Sequence, residues 1–124
     1  MRPAPAAVPN AAYLVGSGPM AEAAVPILRA RGLENKVKVV STYLSHAVYR
    51  GVFRGRILAA PTDSPVLQGQ LSIEMAVRAL EGHLTTHHAG PPVWTVTADT
   101  PAADFQESLA PASFAPVFSL RASP

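Results

Sequence analysis

The chain contains no cysteine. That excludes a disulfide framework and any thiolate nucleophile, and it leaves the redox compartment open. Charge is also scarce. Only 15% of the 124 residues are charged, and the formal net charge is +2. So small and scattered an excess does not make a nucleic-acid surface. No apolar run approaches the roughly 18 residues of a membrane span. No pair of carboxylates falls where strands are expected to end, so general acid–base catalysis has no visible machinery.

What remains is globular material. Hydrophobic residues make up 48% of the chain, and the length suffices for one domain with a core. The start, Met1 to Asn10, superficially resembles an export signal. Three prolines break its middle, and it has no run of Leu, Ile or Phe. It reads as a disordered lead-in over 1–12. A Met placed directly before interior-looking sequence suggests a chain that starts partway through a larger protein.

From Tyr13 onward, strands and helices alternate. Tyr13-Leu14-Val15 is a short apolar strand, and Gly16-Ser17-Gly18 is a turn. Pro19 suits a first helical position, where its missing N–H costs nothing. The helix should run to about Arg31 with Met20, Ala24, Ile27 and Leu28 on one face, kinked or shortened by Pro26. Lys36 to Leu44 is the clearest strand, and its near-continuous apolar run predicts burial on both faces. Ser45 can cap a helix from His46 to about Arg54 with Val48, Val52 and Phe53 as its stripe.

The stretch Ile57 to Gln70 organises the rest. Ile57 to Ala60 reads as a third strand. Pro61 and Pro65, four apart, force an extended crossover instead of a tight turn. A helix from Pro65 to Glu81 follows, with Val66, Gly69, Ile73, Ala76 or Val77, and Leu80 on one face and a favourable Glu74–Arg78 pair on another. Val93 to Thr97 is a returning strand. In the Pro- and Ala-rich remainder, Phe105, Leu109, Phe114, Val117 and Phe118 are the apolar anchors. Strands separated by helices of this length indicate βαβ units and a parallel sheet. Ligands of such sheets sit off the carboxyl ends of the strands.

Several motifs carry less than they suggest. Gly16-x-Gly18-x-x-Ala21 follows a strand and opens a helix, as a dinucleotide fingerprint does. The next strand ends without the acid that would bind a ribose, and Pro19 removes an amide, so a plain βα turn is the better reading. His83, His87 and His88 lie in a polar loop without an orienting carboxylate, so no metal site is expected. Arg50, Arg54 and Arg56 read as a solvated helix face before an anion site. Tyr43 and Asp63 stand at strand ends, where a sheet presents residues to a ligand. An ordinary rim tyrosine and a turn-capping aspartate are the plainer alternatives.

At these residues the chain resembles a known family. The segments YLVGSGPMAEAAVPILRARGL, KVKVVSTYLSHAVYRGVFRGRILAAPTDSPVLQGQLSIEMAVRALEG and SLAPASFAPVFSL are similar to the carboxyl-terminal part of type I periplasmic binding proteins. The strand, AAPTDS crossover, helix and returning strand are shared across that superfamily. The STYL and LAPASFAPVF segments point to its trimethylamine N-oxide-sensing branch. The resemblance covers about Tyr13 to Leu120.

It implies an α/β fold: a parallel-sheet carboxyl-terminal lobe over 13–64 and 92–98, one helix and loop of the other lobe over 65–91, and a surface-packed tail over 99–124. Ile57 to Ser64 would be an interlobe crossover. Tyr43, Asp63 and Ser17 would be ligand-binding, with no catalytic residue, metal or cofactor. An intact member would be periplasmic, bind trimethylamine N-oxide or a similar small solute, and signal to a membrane sensor histidine kinase. The alternative is a sugar or other small-solute receptor of an uptake transporter. No signal peptide and no long amino-terminal lobe precede Tyr13 in this sequence, so the resemblance implies a fragment. The helix from Pro65 would then lack its intended partner and should repack on the sheet or associate.

Overall fold

The computed structural model describes residues 10–102, 105, 108–111 and 113–117. Four strands and three helices follow in the order β1 (Tyr13–Gly16), α1 (Gly18–Ala30), β2 (Lys38–Ser41), α2 (His46–Phe53), β3 (Ala59–Thr62), α3 (Pro65–Leu80) and β4 (Trp94–Thr97). The sheet order is β1-β2-β3-β4. β1, β2 and β3 run parallel. β4 pairs antiparallel to β3, with Ala60 opposite Val96. The fold is α/β as expected, but the sheet is mixed. The chain leaves along β3, turns through α3 and comes back beside the strand it left, which an antiparallel pairing permits without a crossover helix.

Helices α1 and α2 lie on one face of the sheet. The core there joins Ala21, Ala24 and Leu28 of α1, Val48 and Val52 of α2, and Val39, Ala60 and Val96 of the sheet, with Leu44 and Ile57 from the loops. Each large side chain fully buried in it contributes about 1.5–3 kcal/mol. The other sheet face is uncovered: Tyr13, Val15 and Lys38 are exposed, and Val40, Ala59 and Pro61 are half-buried. The expectation that β2 is buried on both faces is therefore corrected. Its residues alternate between exposed and buried positions, because helices cover only one side.

The helix ends follow the residues that stop them. Pro19 lies in the first turn of α1, which continues unbroken through Pro26. The Val48 amide donates to Ser45 Oγ at 3.1 Å, the expected N-cap of α2. Gly32, Gly55 and Gly82 follow the three helices with positive φ, the left-handed position that glycine occupies without strain. The buried face of α1 is Ala21, Ala24 and Leu28, while Met20 and Ile27 are exposed. Small alanines let the helix approach the sheet closely, and the longer side chains fall outside that contact. Phe53, placed on the α2 stripe, is 73% exposed.

β3 begins two residues later than expected. The amides of Arg56 and Ile57 both donate to the Gly51 carbonyl, so these residues still terminate α2. Pro61 then sits inside the strand, extended, as its fixed φ allows.

α3 is a single 16-residue helix with no buried residue. Its Arg78 and Glu74 pair as expected, but Ile73 and Leu80 are 69% and 90% exposed. The helix has not repacked on the sheet. In the tail, Phe105 is buried with its ring 5.1 Å from that of Tyr49, edge to face. Leu109 packs against the core. Phe114 and Val117 are exposed and so do not anchor the tail. Phe118 and the lead-in residues 1–9 lie outside the described residues.

Candidate functional site

Because β1, β2 and β3 are parallel and adjacent, their carboxyl ends share one edge of the sheet. The Thr42 amide donates to the Gly16 carbonyl at 2.8 Å and ties the first two ends together. Ser17, Tyr43 and Asp63 each lie within two residues of a strand end. The three residues expected to bind ligand therefore stand on three neighbouring strand ends, with Tyr43 in the middle.

Each is held by local chemistry. Ser17 occupies the N-cap position of α1, but its side chain caps nothing. Its carbonyl accepts from the Ala21 amide at 2.8 Å, and the residue is exposed. Tyr43 is 43% exposed. Its backbone is pinned by buried Ser41, whose hydroxyl donates to the Tyr43 carbonyl at 2.7 Å and accepts from the Tyr43 amide at 3.3 Å. The turn is thus fixed while the ring stays available.

Asp63 is half-buried. Its carbonyl accepts from Gln68 Nε2 at 3.1 Å. Its Oδ1 is buried and has no hydrogen-bond partner among the described residues. A buried carboxylate oxygen without a donor is costly, and ligand-binding sites are one place where such an atom persists. The following residue, Ser64, has φ of 53°, a left-handed conformation unusual outside glycine. The Ser64 amide donates to Thr62 Oγ1 at 3.2 Å.

Two residues that the sequence reading passed over now matter. Ser41 and Thr62 are each the last, buried residue of a strand. Each accepts the amide two residues on, Tyr43 and Ser64 respectively. This hydroxyl-to-i+2 bond is a known local motif of Ser and Thr. A hydroxyl residue at the end of each strand, two before Tyr43 and one before Asp63, was the available signal.

Among the described residues no group of three His, Asp or Glu converges as a metal site would. No helix among them is long and apolar enough to cross a membrane. Arg50, Arg54 and Arg56 are exposed, and they line a hollow of about 140 Å³ between α1 and α2.

The solved structures similar to this chain include the TorS sensor domain–TorT complex and an ABC transporter solute-binding protein. In sequence, the chain is similar to TorT. It is 38% identical to periplasmic protein TorT of Escherichia coli K12 over 111 residues, 89% of this chain and 32% of TorT. A structure of the TorS sensor domain–TorT complex in the presence of TMAO matches with a TM-score of 0.79 and 39% identity, over 90% of this chain and 38% of that one.

An ABC transporter solute-binding protein from Bradyrhizobium sp. BTAi1, with bound bis-tris, matches with a TM-score of 0.78 and 41% identity, over 91% of this chain and 34% of that one. These relatives are binding proteins, not enzymes. No protein-family model matches the chain. The chain spans about a third of the length of the relatives it matches.

Proposed function

We propose that the strand-end edge is one wall of a cleft for a small, polar, methylated solute, trimethylamine N-oxide or a close analogue, with Tyr43, Asp63 and Ser17 as its ligand contacts. The observation that carries this reading is the exposed Tyr43 ring, pinned by Ser41, on the middle strand end. An aromatic face packs methyl groups and attracts a cationic or ammonium-like centre. A carboxylate on the neighbouring strand end complements the same charge, and Asp63 stands there, half-buried. The two relatives lend support. One was crystallised with TMAO present, and the other holds bis-tris, a tertiary amine.

In the same proposal, β1 to β3 and β4 belong to one lobe, and α3 reaches into a second lobe. Ile57 to Ser64 forms the hinge, and closure of the cleft is the two-state element that ligand biases. The closed state is read by a membrane sensor histidine kinase in the periplasm, and no reaction is catalysed. A second reading, a solute receptor for an uptake transporter, is favoured by the similarity to the Bradyrhizobium transporter protein.

A titration of the ¹⁵N-labelled chain with trimethylamine N-oxide and, separately, with ribose distinguishes them. The first reading expects saturable shifts at the amides of Ser17, Tyr43 and Asp63 with the amine oxide and none with ribose. Ribose shifts at those amides, without an amine-oxide response, would move the assignment to the second.

A further inference from the structure

The groove between α1 and α2 carries a different kind of site. Seven of the chain's ten lysines and arginines fall between residues 29 and 56, against a single acid there, Glu34. In a βαβ fold the helices run back against the strands. The ends of α1 and α2 and the start of β2 therefore gather at the pole away from Tyr43.

Three of these cations, Arg50, Arg54 and Arg56, line the hollow of about 140 Å³. Its other walls include Val25, Ala47 and Ile57. Glu22, its one acid, is hydrogen-bonded by Ser45 Oγ at 3.3 Å. The ion pairs among the described residues are Arg78–Glu74 and His83–Glu81, so none neutralises these guanidinium groups. Arg50 and Arg54 stand four apart on one helix edge, an arrangement that like charges disfavour. The negative end of α2 offsets one such charge. It does not explain why three converge on one hollow. Beside them, Phe53 projects into solvent.

We propose that this groove is a docking surface for an acidic segment of a partner protein, one carboxylate side chain of which enters the hollow. The apolar walls take the methylene stem, and the guanidinium groups take the carboxylate, the pairing for which arginine's planar fork is suited. Arginine beside an exposed aromatic is the composition of protein-interface hot spots. The proposal does not depend on which solute the strand-end edge takes.

The test is a chemical-shift titration of the ¹⁵N-labelled chain at low ionic strength with a terminally blocked hexaglutamate peptide. The proposal expects saturable shifts at the amides of Val25, Ala47, Gly51 and Ile57, with those of Tyr43 and Asp63 still. The double variant Arg54→Glu/Arg56→Glu should bind about tenfold or more weakly, and Arg54→Lys/Arg56→Lys should keep most of the affinity. Phe53→Ala should weaken binding without changing where the shifts fall.

Shifts spread evenly over all cationic residues, Arg78 included, would overturn the proposal, as would an absence of saturation. So would equal occupancy by inorganic phosphate, which would make the hollow a small-anion site. Tighter binding to phosphatidylglycerol vesicles than to the peptide would assign the groove to a membrane surface instead. The wild-type shift map decides between these outcomes even if a variant fails to fold.

Discussion

The hydroxyl of Ser41 donates to the Tyr43 carbonyl at 2.7 Å and accepts from the Tyr43 amide at 3.3 Å. One buried oxygen thus holds both backbone polar groups of the residue proposed to meet the solute. The ring needs no hydrogen bond to be positioned, because the turn beneath it is already set. Ser41→Ala should remove both bonds and cost about 1–2 kcal/mol of stability. Urea denaturation measures that cost. Hydrogen exchange should show the Tyr43 amide losing protection while that of Val39 keeps it.

The second turn rests on Thr62 and Ser64. Ser64 holds φ of 53°, where a β-branched residue is strongly disfavoured. Ser64→Val should therefore destabilise the fold by about 1–2 kcal/mol. Ser64→Gly, which accepts that φ freely, should change stability by less than about 0.5 kcal/mol. Parallel denaturation curves of the two variants check this. Equal losses would mean that the left-handed turn is not what the substitution disturbs.

At Gly51 the helix passes so close to Ile57 that an added methyl would lie 2.7 Å from Cδ1 and 3.0 Å from Cγ1. Ile57 is buried, so it has little room to yield. Gly51→Ala should cost about 1–3 kcal/mol by overpacking, although alanine is the better helix former. Thermal unfolding should show a lower Tm. A rise would mean that Ile57 repacks freely.

The exposure of α3 makes a contrast that stability measurements can read. Ile73→Lys and Leu80→Lys should each alter the unfolding free energy by less than about 0.5 kcal/mol, because neither side chain is covered. Leu44→Ala, in the core, should cost about 2–5 kcal/mol. If the lysine variants proved as damaging as Leu44→Ala, α3 would be packed in solution against something the isolated chain supplies.

Much of the architecture was legible in local signals. Ser45 announced a cap, Gly82 an ending, and the alternation of short apolar runs with helical stripes announced βαβ units. The strand ends follow from that topology, so Ser17, Tyr43 and Asp63 could be placed on one edge before any coordinates. What local signals could not show was how much surface is covered. The run Val37 to Val40 has the composition of a strand buried on both faces, yet one face is open, because burial depends on elements distant in sequence. Met20 and Ile27 looked like the helix face for the same reason, while the contact is made by small alanines. The onset of β3 was masked by the Gly51 carbonyl, which keeps Arg56 and Ile57 in the helix terminus. Ser41 was read only as part of a strand end without an acid, and its bonds to Tyr43 depend on a turn geometry that composition does not encode.

The central claim is that the Tyr43 ring forms part of a solute site. It is tested most directly by trimethylamine N-oxide titrations of the chain carrying Tyr43→Phe, Tyr43→Leu or Tyr43→Ala, followed at the Ser17 and Asp63 amides. A ring-face contact predicts that Phe binds within about threefold of the native chain, while Leu and Ala, which lack the quadrupole, bind about tenfold or more weakly. Unchanged affinity in Tyr43→Ala, with the fold intact, would contradict the claim and leave Tyr43 as an ordinary residue of the sheet's rim.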